Sequence, residues 1–274
     1  MAAGGPAAAS RDPRWADLGP RAASAAAMVA LGSAAVIAGG VWFQMVTVFV
    51  TAVMIWELWT MIEPRGPTRG MLLAALVASV LSGQLALQEP WGLLLFLVAS
   101  AGGALALGRG RWTFFGFALA IQVAGWGLVT FRIDYGFTWI LWLITVVVVT
   151  DVAGYFAGRL IGGPKFWPRV SPKKTWSGTV AGWLGAAAVG LVFDAFVPAG
   201  PQLVPLSILL SMASQWGDIA ESALKRSMGV KDSSQLIPGH GGLFDRFDAL
   251  LGGSIFLLAF TAVLGVPGGF GPSP

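Results

Sequence analysis

The sequence predicts an all-α, polytopic integral membrane protein, and three observations carry that prediction. Charged side chains make up 11% of the 274 residues, against about 25% in an average soluble domain. Apolar residues make up 56% and the mean hydropathy is +0.75, too little polarity to cover a water-facing shell. Apolar windows also follow one another almost without pause, each near the ~20 residues that a helix rising 1.5 Å per residue needs to cross about 30 Å of hydrocarbon.

Taken in order, the first uncharged stretch, Ala22–Trp56, is too long for one crossing, and Gly39-Gly40 is the expected turn between two helices. Further windows are Gly70–Gln88, Trp91–Gly108, Trp112–Phe131, Tyr135–Thr150, Gly178–Phe193, Leu203–Gly217 and Ala249–Val266. Nine helices are expected in all, five of them within residues 22–132, with a catalytic region over 133–274. Residues 1–21, rich in Ala, Gly and Pro, read as a mobile cytoplasmic tail. A cleaved signal peptide fits less well, because the apolar run continues straight into a second span.

The basic residues give an independent test, since Lys and Arg concentrate in cytoplasmic loops. With the N-terminus inside, the inner segments hold Arg11, Arg14 and Arg21; Arg65 and Arg69; Arg109 and Arg111; Arg159, Lys165, Arg169, Lys173 and Lys174; and Lys225, Arg226, Lys231 and Arg246. That is 16 of the 17 basic residues, leaving Arg132 outside. The expected topology is N-terminus inside and C-terminus outside, in the cell's inner membrane, with cytoplasmic loops over residues 159–177 and 225–248. Net charge of +4 in such scattered groups argues against nucleic-acid binding. The absence of cysteine excludes disulfides and thiolate chemistry, and a single His excludes a His-rich metal site. The sequence is compatible with a homo-oligomer.

The chemistry collects in the second half, at the expected cytoplasmic mouth. Asp218, Glu221, Ser222 and Lys225 recur at i, i+3, i+4 and i+7, on one helix face. Beyond them lie Lys231-Asp232, the glycine-rich Pro238–Gly242 segment around His240, and Asp245-Arg246-Phe247-Asp248. Gly241 and Gly242 allow close backbone approach, so their amides can face an anion; the competing reading of Asp245 and Asp248 is a helix cap with surface ion pairs. Ser171-Pro172-Lys173-Lys174-Thr175 combines cations with hydroxyls, although paired lysines before a span also serve as ordinary anchors. Asp151, Gly154, Tyr155 and Gly158 share a face on which the glycines suit helix packing and the acid is left unexplained. His240 reads as a loop-shaping residue with a phosphate contact, Glu57 and Asp194 as structural, and Trp42, Trp91, Trp112 and Trp139 as interfacial anchors.

The stretch Ser222–Asp248, with Lys225-Arg226, Lys231-Asp232, Ile237–Phe244 and Asp245-Arg246-Phe247-Asp248 in place, resembles the signature of the phosphatidate cytidylyltransferases, or CDP-diacylglycerol synthases. Asp151–Arg159 and the Ser171–Thr175 group are similar to that family too. One position departs from it: the family commonly has Glu two residues after the Thr of the Lys-Lys-Thr group, where this chain has Ser177. The resemblance implies transfer of a cytidylyl group from CTP to phosphatidate, giving CDP-diacylglycerol and pyrophosphate with Mg²⁺. Catalytic roles are then expected for Asp218, Lys225, Arg226, Asp245 and Asp248. Substrate contacts are expected from Ser171, Lys173, Lys174, Thr175, Ser222, Lys231, His240, Gly241, Gly242 and Arg246. Carboxylates without Cys or His partners suit hard, oxygen-liganded Mg²⁺, so Asp218, Asp245, Asp248 and, with less support, Asp151 are the expected ligands, for one metal ion or two. The alternatives are an enzyme acting on another lipid phosphate or a prenol, and a transporter, which would need mid-membrane acids and inverted repeats.

Overall fold

A computed structural model describes residues 18–197 and 199–264. The expected tail up to residue 17 and the C-terminus beyond Leu264 lie outside the described residues. The helices are α1 (Leu18–Ala38), α2 (Gly40–Ile62), α3 (Pro67–Leu87), α4 (Leu93–Leu105, preceded by a 3₁₀ turn Pro90–Gly92), α5 (Arg111–Leu160), α6 (Trp176–Phe196), α7 (Leu203–Ser227) and α8 (Phe244–Leu264). A two-stranded antiparallel hairpin, β1 (Lys165–Trp167) and β2 (Ser171–Thr175), joins α5 to α6. Seven of the helices are long and apolar enough to cross a membrane, and the chain is a multi-pass membrane protein.

Most expected breaks are where sequence chemistry puts them. Gly39 and Gly40, at φ 62° and 47°, form the turn between α1 and α2, a conformation that costs glycine little. The expected helices Trp112–Phe131 and Tyr135–Thr150 are the two arms of α5, which is broken by Gly136 at φ 83°, ψ −172°. Its second arm runs on to Leu160, so Asp151, Gly154, Tyr155 and Gly158 lie on one helix, as their spacing predicts. The expected loop over 159–177 is largely the β-hairpin. Helix α4, at 13 residues, is shorter than the ~20 that cross a bilayer unaided, because Pro90 and the Gly-rich exit at Gly108 and Gly110 shorten it.

Two apolar clusters fill the interior. One, around Trp139, Trp142, Leu143, Leu206 and Leu210, ties α5 to α7; the other, around Ile55, Leu58, Trp59, Ile121 and Phe244, ties α2 to α5 and α8. Contacts across the bundle bring the basic turns to one end. Gly110 lies against Ile62 and Met228, and Gly239 against the Arg21 side chain, while Arg132 sits beside Gly39 at the other end.

Candidate active site

Two glycines set the geometry. A side chain on Gly217 would strike the Asp248 carbonyl and the backbone of Gly252, and one on Gly252 would strike the Ala213 carbonyl. Helices α7 and α8 therefore approach backbone to backbone, and the last turns of α7 stand beside the first of α8. Lys225 reaches across: its Nζ is 2.6 Å from Asp245 Oδ1 and 2.5 Å from Glu221 Oε2. All three are largely buried, with side-chain exposures of 12% for Lys225, 5% for Asp245 and 1% for Glu221. Glu221 has this ion pair but no well-aligned hydrogen bond at either oxygen. The other oxygen of Asp245 accepts from the Ser233 and Gly242 amides, at 2.9 and 2.8 Å, and from the Ser233 hydroxyl at 2.8 Å.

Glu57, fully buried on α2, completes this hub. It accepts from the Ser234 hydroxyl at 2.7 Å and from the Leu243 and Phe244 amides at 2.9 and 2.7 Å. Its Oε2 is also 3.4 Å from Ser233 Oγ, whose single proton has its shorter contact with Asp245. The Leu243 and Phe244 amides open α8, so a carboxylate from a distant helix caps its positive end. A side chain on Gly242 would collide with Glu57 Oε1 and Ser233 Oγ, and one on Gly241, at φ 81°, would lie 2.7 Å from Asp245 Oδ2. The glycine pair thus makes room for the protein's own carboxylates. The amide of Gly242, expected to face a substrate phosphate, is donated to Asp245.

A second group lines the rim. Lys174 Nζ, from β2, is 2.6 Å from Asp218 Oδ2 and 3.5 Å from the Gln215 carbonyl. The Ser222 hydroxyl donates to Asp218 Oδ1 at 3.3 Å, and Asp248 Oδ1 accepts from the Ala249 amide at 2.8 Å. Asp151, Asp218 and Asp248 lie within electrostatic reach of one another. Among the described residues, no three acids already stand at metal-ligand spacing; like charges repel, and these are turned to Lys174, Ser222 and an amide.

The remaining expected residues separate into two kinds. Thr175 caps α6 by accepting from the Gly178 amide at 3.2 Å and is buried, a role worth about 1 kcal/mol. Ser177, at the departure from the family pattern, bonds the Gly162 carbonyl and Thr175. It ties the hairpin to α6. By contrast Lys173, Arg226 and Lys231 are exposed, as is Arg246, which donates Nε and Nη2 to the His240 carbonyl at 3.0 and 2.6 Å. Ser171 pairs with Trp167 in the hairpin. His240 Nδ1 lies 2.9 Å from Ser24 Oγ on α1. Glu57 is structural, as the sequence predicts, but its partners and the part played by Ser24 were not readable there, since those partners are 176 or more residues away. An acid inside an apolar span was the one available signal for Glu57.

A sequence model of the cytidylyltransferase family matches residues 20–264. The chain belongs to that family. The phosphatidate cytidylyltransferase of Brucella suis biovar 1 is 38% identical over 242 residues, covering 84% of this chain and 87% of the relative; that of Brucella abortus biovar 1 gives the same figures. The phosphatidate cytidylyltransferase of Staphylococcus saprophyticus is 39% identical over 153 residues, covering 53% of this chain and 59% of the relative. The family match runs from the first turn of α1 to the end of α8, so it takes in the amino-terminal spans as well as the signature.

Proposed function

We propose that this cytidylyltransferase transfers the cytidylyl group of CTP to phosphatidate, giving CDP-diacylglycerol and pyrophosphate for phospholipid synthesis. The observation that carries this reading is the carboxylate rim at Asp151, Asp218 and Asp248, met by Lys174 on Asp218 and flanked in the chain by the exposed cations Lys173, Arg226, Lys231 and Arg246. An oxygen of the phosphatidate phosphate attacks the α-phosphorus of CTP, the bond from that phosphorus to the bridging oxygen breaks, and pyrophosphate leaves. A phosphomonoester, with a second pKa near 6, is already anionic at neutral pH, so no strong general base is required. The demand is to bring two polyanions together in line, which calls for fixed cations and positioning. Arg226 and Arg246 can each grip a phosphate with paired donors. Lys225, engaged by Glu221 and Asp245, holds the scaffold of the site.

The rim suits Mg²⁺ in its chemistry: hard oxygen donors, no sulfur or imidazole, and mutual repulsion that a divalent ion would relieve. Asp218, Asp248 and Asp151 are the residues that would hold it; Asp245, with both oxygens engaged by Lys225, Ser233 and Gly242, supports them from behind. Bound there, Mg²⁺ would act as a Lewis acid toward the triphosphate. Purified protein supplied with labelled CTP, Mg²⁺ and phosphatidate should form a labelled lipid, and chelator should stop this reversibly. No labelled lipid from folded protein would overturn the reading.

The same reading places the site on the cytoplasmic face of the inner membrane, with nine crossings, the N-terminus inside and the C-terminus outside. Since the chain has no cysteine, Ser171→Cys and Gln235→Cys should each resist an impermeant thiol reagent added from outside intact cells. Labelling of either would reverse the topology.

A further inference from the structure

Beyond Lys173 and Lys174, the β-hairpin is not accounted for by the rim or the hub. Its strands pair Lys165 with Thr175 and Trp167 with Ser171. It is suspended between the end of α5 and the start of α6, and the Trp176 amide ties it down by donating to the Pro164 carbonyl at 3.0 Å. Both helices are candidate spans, so the hairpin lies where they leave the bilayer. Its composition is one-sided: from residue 152 to 193 there is no acid, while Arg159, Lys165, Arg169, Lys173 and Lys174 are basic. Lys165, Arg169 and Lys173 are all exposed.

Beside these cations lies an aromatic patch. Phe166 packs on Trp176 with ring centroids 4.7 Å apart and reaches Trp216 at 6.4 Å, and Trp167 meets Trp216 edge-on at 6.3 Å. The indoles remain open, at 42% for Trp167, 46% for Trp176 and 55% for Trp216. Indoles next to lysine and arginine fit the headgroup zone, where an apolar body meets a charged, hydrated layer. Trp216 stands two residues before Asp218, and Lys174 of the same hairpin is paired with Asp218. The patch and the rim are therefore continuous.

We propose that the hairpin, with Trp216, is a docking surface for the anionic phospholipid headgroups of the adjoining leaflet, through which phosphatidate reaches the rim sideways from the bilayer. Indoles seat the hairpin among the headgroups, and Lys165, Arg169 and Lys173 enrich anionic lipid around it. This rests on the lipid-phosphate substrate proposed above and adds the route by which that substrate arrives.

Two measurements test it. The first reads membrane depth without activity: Trp167→Cys, the single cysteine in the chain, carries a nitroxide in nanodiscs. The nitroxide should relax with oxygen rather than with a water-soluble nickel chelate, and more so when anionic lipid replaces zwitterionic lipid. Nickel accessibility in both lipids would overturn the proposal, and this arm stands even if no cytidylyl transfer is detected. The second uses the Lys165→Gln/Arg169→Gln double variant in mixed micelles. Its KM for phosphatidate, expressed as mole fraction, should rise about 30-fold, with kcat and the KM for CTP unchanged. A rise in the KM for CTP instead would assign these cations to the nucleotide and overturn the proposal.

Discussion

The carboxylates at the junction of α7 and α8 are bonded in two opposite ways. In the hub, Glu57 and Asp245 together engage Lys225, two serine hydroxyls and four backbone amides, those of Ser233, Gly242, Leu243 and Phe244. On the rim, Asp151, Asp218 and Asp248 share a single described ion pair, to Lys174. A buried charge is tolerable when every lone pair has a partner. The hub meets that condition at Glu57 and Asp245, whereas on the rim Asp151 is exposed and Asp218 partly so, with fewer protein partners. The hub's bonds hold the signature loop in shape, and the rim carboxylates keep few protein partners, which suits the part in the reaction proposed for them above.

The harshest way to break this comparison is to remove the hub's deepest member. Glu57→Ala leaves the Leu243 and Phe244 amides and the Ser234 hydroxyl without their acceptor, at about 1–3 kcal/mol for each buried donor. Both lipid product and thermal stability in detergent should fall severely. Asp245→Asn should do the same in milder form, since losing one partner of a buried ion pair costs on the order of 3 kcal/mol. If Asp245→Asn kept its melting temperature while losing all activity, Asp245 would belong with the rim.

The complementary change is Asp218→Asn, isosteric and only partly exposed. It should lower turnover by about 100-fold or more, as expected when charge positioned for phosphoryl transfer is lost, with a melting temperature close to that of the unmodified protein. Titrating Mg²⁺ should show a raised requirement. Full activity of Asp218→Asn at limiting Mg²⁺ would reduce the rim to ordinary surface pairing.

These two regions were not equally legible in the sequence. The charge stripe Asp218, Glu221, Ser222 and Lys225 follows from helical periodicity, and an antiparallel pair of helices suffices to bring Lys225 to Asp245. The apolar windows likewise gave the helical segments, because spanning length and glycine breaks are local properties. What stayed hidden was non-local. The expectation that Gly242 faces a phosphate was reasonable from its conformational freedom, but an acid in α2 and another in α8 occupy the adjoining amides and the space that a side chain would fill. The hairpin was hidden for a different reason: its Pro172 and its charges suppress the alternation that marks a strand, and only its pairing across Arg169 makes it one.

The mildest expected effect sharpens the boundary of the hub on the side of α1. Ser24 Oγ lies 2.9 Å from His240 Nδ1, 3.1 Å from the Pro238 carbonyl and 3.0 Å from its own Arg21 carbonyl. One hydroxyl proton can serve one carbonyl while the oxygen accepts from the imidazole N–H. Ser24 therefore steadies the tip of the glycine loop from one side while Arg246 holds the His240 carbonyl from the other. Losing one neutral, partly exposed hydrogen bond costs about 1 kcal/mol, or about fivefold in an equilibrium. Ser24→Ala should thus raise the KM for CTP about fivefold with little change in kcat, Ser24→Thr should restore it, and His240→Gln should retain measurable turnover because the proposed reaction needs no imidazole base. If His240→Gln in folded protein abolished product while Ser24→Ala did not, proton transfer at His240 would have to enter the mechanism, and the loop tip would join the rim as reacting machinery.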